Sequence, residues 1–135
     1  MERQFKEVKD SGKRQKFVTG SVRDTQEGKG RYDLISTIAL RRLAVHYENG
    51  GRKYGDKNWE LGQPLSRYLN SAIRHAEETL AGETNEDHAS AVSWNMFAYI
   101  HTLELINQGK LPKELDDLGH SNPEKTHGKN RHRPR

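Results

Sequence analysis

Cysteine is missing from the 135 residues, so disulfides, thiolate nucleophiles and cysteine-based zinc sites are excluded together. Any metal must sit on oxygen or imidazole. Nor is there an apolar run approaching the roughly 18 residues of a membrane span, and no charged-then-apolar leader follows Met1. A cytoplasmic chain with no membrane partner is expected. Apolar residues are scarce, at 31% against roughly 45–50% in an average domain. Either the folded part is shorter than the chain, or the protomer borrows core from a second copy of itself, as a homodimer or homotetramer.

Charge is present but divided. Residues 1–31 carry nine Lys/Arg against five Asp/Glu, residues 32–118 nine against thirteen, and residues 119–135 five against one. The net charge of +4 therefore sits at the two ends, and the middle is acidic. This pattern suits a cation-binding core approached by a phosphate-bearing ligand better than it suits a uniformly basic nucleic-acid surface. Three segments follow: a basic N-terminal arm at 1–31, a folded domain at 32–118 and a basic tail at 119–135. The tail, "GHSNPEKTHGKNRHRPR", has nothing apolar to anchor it and is expected to be disordered. Residues 16–34 mix Phe17, Val18, Val22, Tyr32 and Leu34 with glycines and charges, which reads as an extended arm lying on the core.

Periodicity places three helices. The first spans about 34–47, where Leu34, Ile38, Ala39, Leu43 and Ala44 recur at helical spacing, and "ENGGRKYGDKNWELGQP" then breaks it with five glycines or prolines. The second spans about 65–80, with Ser66 as an alternative cap and Leu65, Leu69, Ile73 and Leu80 on its apolar face. The third is capped by Asn85, runs to about Asn107, and is nearly encircled by Val92, Trp94, Met96, Phe97, Ile100, Leu103 and Ile106. A helix of that kind is central or lies at an oligomer interface. "GKLPKELDDL" offers one further short turn, and no strand pattern is convincing. The fold class is all-α: a bundle of about three to four helices, completed by oligomerisation.

A short glycine-containing turn joins helices two and three, so they should pack as an antiparallel hairpin. Around that turn, "RHAEETLAGETNEDH" gathers two histidines and five acidic side chains. His75 and Glu78, three apart, share a face of helix two, while His88 and Asn95 lie on one stripe of helix three with Asp87 adjoining. Imidazole, carboxylate and amide groups on facing surfaces suit a divalent cation, and Mn²⁺ tolerates imidazole. The rival reading makes the histidines ordinary partly buried side chains and the acids a solvated helix end. Glu77 and Glu86 are assigned to that solvated end, complementing the helix dipole.

The glycine-broken segment supplies Lys53, Tyr54, Asn58 and Trp59. Two aromatics beside a cation and an amide can stack on a base and hold phosphates, or simply pin an interhelical loop. Arg67 and Arg74 share a face of helix two, as a phosphate clamp or as partners of nearby glutamates.

With these residues in place, the chain resembles the phage dATP/dGTP diphosphohydrolases, the MazZ group of the MazG-like all-α nucleoside triphosphate pyrophosphohydrolases. The resemblance reaches from about Phe17 to Leu118. It is carried by "FVTGSVRDTQEGKGRYDL", "GGRKYGDKNWELGQPLSRYLNSAIRH", the "GE" at Gly82 and Glu83, and "DHASAVSWNMFAYIHTLE", in that order and spacing. It implies an enzyme using Mg²⁺ or Mn²⁺ to cleave purine deoxynucleoside triphosphates, dGTP and dATP, into the monophosphate and pyrophosphate. It also implies a supply of dGMP for phage 2-aminoadenine nucleotide synthesis.

The broader group binds Mg²⁺ through E-E-x-x-E on one helix and E-x-x-D on the next. Here His75 and Glu78 cover the first position, and "VSWN" leaves Asn95 where the aspartate would be. On this reading the metal falls to His75, Glu78, Asp87, His88 and Asn95, and the catalytic carboxylates are Glu78 and Glu83. Phosphates fall to Lys53, Arg67 and Arg74, with Arg23, Lys29, Arg31 and Asp33 reaching in from the arm. Tyr54, Asn58 and Trp59 face base and sugar. The competing class is a non-enzymatic nucleic-acid module built on the basic ends.

Overall fold

The computed structural model describes residues 9–123, and the chain divides after Leu34 into two units. In the first, β1 (Arg14–Lys16) and β2 (Val22–Asp24) form an antiparallel pair with Arg14 opposite Asp24 and Lys16 opposite Val22. Phe17 N–H donates to the Ser21 carbonyl at 2.9 Å, and Gly20 turns the chain at φ +88°. The segment expected as a strandless extended arm is thus a hairpin. Three-residue strands reading RQK and VRD are too short and too polar to show an alternating pattern. Asp24 binds the Ser11 hydroxyl and pairs with Lys29 at 2.9 Å, which lowers its carboxyl to about 2. A 3-10 turn at Tyr32–Leu34 ends this unit.

The second unit is helical. In α1 (Thr37–Tyr54) the Ser36 hydroxyl caps the first turn by accepting from Ala39 N–H at 3.1 Å. The helix was expected to break at the glycines after Tyr47, but it runs through Gly50 and Gly51 and stops at Gly55, at φ +94°. Each internal glycine costs a helix about 1 kcal/mol. The last turns are held by the Arg52–Glu48 pair and by the edge packing of Tyr47 on Trp59, 5.7 Å between centroids. A 3-10 turn at Asn58–Leu61 leads through Gly62 to α2 (Leu65–Leu80).

The expected ends of α2 match those observed, and its buried face matches in part. Leu65, Tyr68, Ala72 and His75 are buried, whereas Ile73 is 70% and Leu80 89% exposed. Of the aliphatic residues read as the core face Leu65 is buried and Leu69 half-buried, and Tyr68, Ala72 and His75 complete that face in place of Ile73 and Leu80. Ser66 does not act as the cap. Its N–H and hydroxyl both bind Asp117, 51 positions along the chain, so the start of α2 is closed from outside the helix.

In α3 (His88–Asn107) the cap is Asp87, whose carboxylate accepts from Ser90 N–H at 3.2 Å, in place of the expected Asn85. His88, Ala91, Asn95, Ala98, Thr102 and Ile106 form its buried stripe. Ala and Thr on that stripe let α2 approach closely. His75 faces His88 and Tyr68 faces Thr102, so the two helices run antiparallel. Leu65, Tyr68, Ala98 and Ile106 make the core, flanked by Trp94, Tyr99, Leu103, Leu111 and Leu115. The last two come from the chain after α3, which turns at Lys113–Leu115. Among the described residues no helix is long and apolar enough to cross a membrane. The expected disordered tail lies, from residue 124 on, outside the described residues.

Candidate functional site

The end of α2, the turn after it and the start of α3 bring four donors together. His75 and Glu78 lie one turn apart on α2, Glu86 stands in the turn, and His88 opens α3. One ligand atom from each lies within 4.8 Å of all the others. His75 Nδ1 is 2.9 Å from His88 Nδ1, and Glu78 Oε2 is 2.7 Å from His88 Nδ1 and 3.4 Å from His75 Nδ1. Glu86 Oε1 is 3.3 Å and 3.4 Å from the same two nitrogens. His75 and His88 are buried, at 8% and 4% exposure.

Four nitrogen and oxygen donors around one ion at bonds of about 2.0–2.2 Å stand roughly 3.3 Å apart. The observed spacing fits that arrangement. Glu78 Oε2 is buried and finds no hydrogen-bond partner among the described residues despite the close approach of His88. His88 Nε2 lies 2.8 Å from Asn85 Oδ1, which can only accept, so the outer nitrogen has a partner of its own and Nδ1 faces the other three donors. Two buried imidazole nitrogens facing two carboxylate oxygens make a donor set that suits a cation. The group can therefore hold a metal ion.

Of the residues expected here, His75, Glu78 and His88 are brought together. Asp87 is turned aside. Its oxygens accept from Arg42 Nε at 2.9 Å and Nη2 at 2.5 Å as well as from Ser90, and the Arg42 guanidinium holds its carboxyl well below the ordinary range. Glu86, which had been left to solvent, takes the position instead. Asn95 is buried, but its amide donates to the Ala91 carbonyl at 2.8 Å. Glu83 lines a groove over the turn with Arg42, Glu86 and His88. Arg74 sits 3.5 Å from Glu78 Oε1 and 3.4 Å from His75 Nε2.

A pocket of about 420 Å³ opens beside this group and shares His75 with it. Arg67, Ser71 and His75, at four-residue spacing, form one stripe of its wall, and Asn95 faces them from α3. Tyr54, Asn58, Trp59 and Trp94 also line it. Trp59 is fixed edge-on against His101, 4.8 Å between centroids. Gly50 and Gly51 line the α1 side, so the helix presents bare backbone there.

A second hollow of about 290 Å³ is lined by Arg42, His46, Lys53, Tyr54 and Glu86. Lys53 Nζ is 5.3 Å from the centre of the Tyr54 ring. Burial, and secondly His75, pushes the His46 imidazole below its ordinary value. Arg42, His46 and Gln63 were not foreseen in this region. Arg42 and His46 lie on α1 and Gln63 in the turn before α2, and nothing in their local spacing marks them. Arg23, Lys29, Arg31 and Asp33 belong to the first unit, where Lys29 pairs with Asp24 and Arg31 with Asp33 at 2.8 Å.

No curated protein and no solved structure matches the chain. The model of the family described as dATP/dGTP diphosphohydrolase, N-terminal, matches residues 19–115. That span takes in α1, α2 and α3 with the His/Glu group and the whole pocket wall. A chain matched over most of its length, with a cation-ready group beside a nucleotide-sized pocket, belongs to the dATP/dGTP diphosphohydrolase family and is an enzyme of that activity.

Proposed function

We propose that the chain hydrolyses dGTP and dATP between the α and β phosphates, releasing the monophosphate and pyrophosphate, with a divalent cation, Mg²⁺ or Mn²⁺, as cofactor. The observation that carries this reading is the shared His75. A ligand whose flat end lies among Tyr54, Trp59 and Trp94 would have its phosphates at the His/Glu group.

His75, Glu78, Glu86 and His88 would hold the cation. When bound, it would neutralise charge on the phosphate oxygens and acidify an attacking water. The remaining work falls to the chain. Arg67 and Lys53 pair with phosphate oxygens, and Arg74 anchors the Glu78 carboxylate from behind. Glu83, at the groove over the turn, takes the proton of the attacking water as the anhydride opens and pyrophosphate leaves. Trp59 and Tyr54 stack on the purine, and Asn58 reads its edge or the sugar.

A phage origin, a role in supplying dGMP for 2-aminoadenine nucleotide synthesis and a place in the host cytoplasm complete the reading. Self-association would cover Ile73, Phe97 and Ile100, which face outward at 70%, 52% and 53% exposure. Incubation with each deoxynucleoside triphosphate in turn, with Mg²⁺ or Mn²⁺, should give pyrophosphate from dGTP and dATP. The pyrimidine nucleotides should give little. Equal turnover of all four would contradict the purine reading, and release of inorganic phosphate would contradict the bond assignment.

A further inference from the structure

If the base stacks on Trp59, as proposed above, whatever orients that indole governs which bases the pocket takes. Trp59 sits in the four-residue 3-10 turn Asn58–Leu61, whose leading residue Lys57 contributes no side-chain cap. Short 3-10 segments have poorer hydrogen-bond geometry than an α-helix, so the turn alone is a weak mount for a large ring. Trp59 also stands apart from the core of Leu65, Tyr68, Ala98 and Ile106 and from the side chains flanking it. Two rings from other elements meet the indole instead. Tyr47 on α1 crosses it at 81° with centroids 5.7 Å apart, and His101 on α3 crosses it at 64° with centroids 4.8 Å apart. Tyr47 lines the pocket itself, whereas His101 is not among the lining residues.

The chemistry of His101 sets it apart. Its Nε2 is buried and has no hydrogen-bond partner among the described residues. A buried nitrogen without a partner is less favourable than an apolar ring of the same shape. What the imidazole does make is its ring contact with the indole.

We propose that His101 is a positioning residue for base selection: it holds the Trp59 indole as a preset plane and so favours two-ring over one-ring bases. A purine overlaps an indole more fully than a pyrimidine does, so fixing the ring in advance helps dGTP and dATP more than dCTP.

The test compares His101→Phe with His101→Leu in the full-length protein. Phe keeps a flat ring and Leu fills space without one. Both remove the partnerless nitrogen, so both should melt no earlier than wild type. In His101→Leu the KM for dGTP should rise about 2- to 10-fold, the range that an edge-on aromatic pair supplies, with kcat unchanged. His101→Phe should restore the wild-type KM, and His101→Ala should repeat the Leu result. Metal-free titrations with dGMP and dCMP, read by indole fluorescence, repeat the comparison without turnover. Affinity for dGMP should fall in His101→Leu while that for dCMP moves little.

A wild-type KM for dGTP in His101→Leu and His101→Ala would overturn the proposal. So would equal weakening of dGMP and dCMP, or Phe and Leu variants that behave alike, since each makes His101 a packing residue only. Selective loss of dGMP affinity in a protein that opens no triphosphate would support this proposal and contradict the catalytic reading. Hydrolysis of dGTP with a base preference untouched by His101→Leu would do the reverse.

Discussion

Asp87 and Glu86 are adjacent, equally acidic and yet differently employed, and the start of α3 separates their roles. Whichever residue caps a helix spends its oxygen on the first-turn N–H groups. Asp87 does so and also receives both arms of the Arg42 guanidinium. Replacing Asp87 with Ala should cost about 1 kcal/mol from the lost cap, seen as an earlier melt. Because Arg42 and then Ser90 hold the folded carboxyl below its unfolded value of about 3.9, the charged contribution is whole above about pH 4. It is lost as the pH falls from there through the folded value. The melting gap between wild type and Asp87→Ala should therefore narrow in acid, and an unchanged gap at pH 3 would contradict the pairing. The same detail explains what was legible. His75, Glu78 and His88 follow from spacing on two helices joined by a short turn. The choice between Glu86 and Asp87 needs the cap register, and Asn85 and Asp87 are both good caps.

For elements, the two internal glycines of α1 and the faces of α2 carry the lesson. Local propensity ends α1 near Tyr47, but tertiary packing around Trp59 and Trp94 continues it to Tyr54. That extension brings Gly50, Gly51 and Tyr54 to the pocket. The ends of α2 were legible because Pro64 and Gly82 punctuate them. Its buried face was legible only at Leu65 and partly at Leu69, because beyond them the α2–α3 contact uses Tyr68, Ala72 and His75 where aliphatic side chains were sought. Two glycine replacements should act in opposite directions. A Cβ at Gly50, inside the helix, meets nothing within 4 Å, so Gly50→Ala should stabilise by up to about 1 kcal/mol. Its methyl stands in open space that the pocket uses, so KM for dGTP should rise. Gly62 sits at φ +85° with a Cβ position 2.9 Å from Leu115 Cδ1 and 3.1 Å from Leu111 Cδ1. Gly62→Ala should destabilise by about 1–3 kcal/mol, lowering the Tm by several degrees. Equal melting temperatures for the two variants would refute this account of the chain around the pocket.

At the level of the whole chain, the charge division and the scarcity of apolar residues were legible, and so was the all-α class. The hairpin in the basic N-terminal segment was not readable as structure, since three-residue strands leave no periodic signature. Within the helical unit Ile38, Val45, Ile73, Phe97 and Ile100 remain exposed, apolar side chains that a second copy could cover. Sedimentation equilibrium should find a dimer or tetramer, with Ile73→Asp shifting it toward monomer, and a wild-type monomer at micromolar concentration would contradict this. The central claim is that the His/Glu group beside the pocket opens a purine deoxynucleoside triphosphate at its α–β bond. Its most direct test compares the products formed from dGTP by wild-type protein and by folded Glu78→Gln under the same cation. The account predicts dGMP and pyrophosphate in equal amounts from the first and none from the second. Near-normal turnover by Glu78→Gln, or dGDP and phosphate as products, would contradict it.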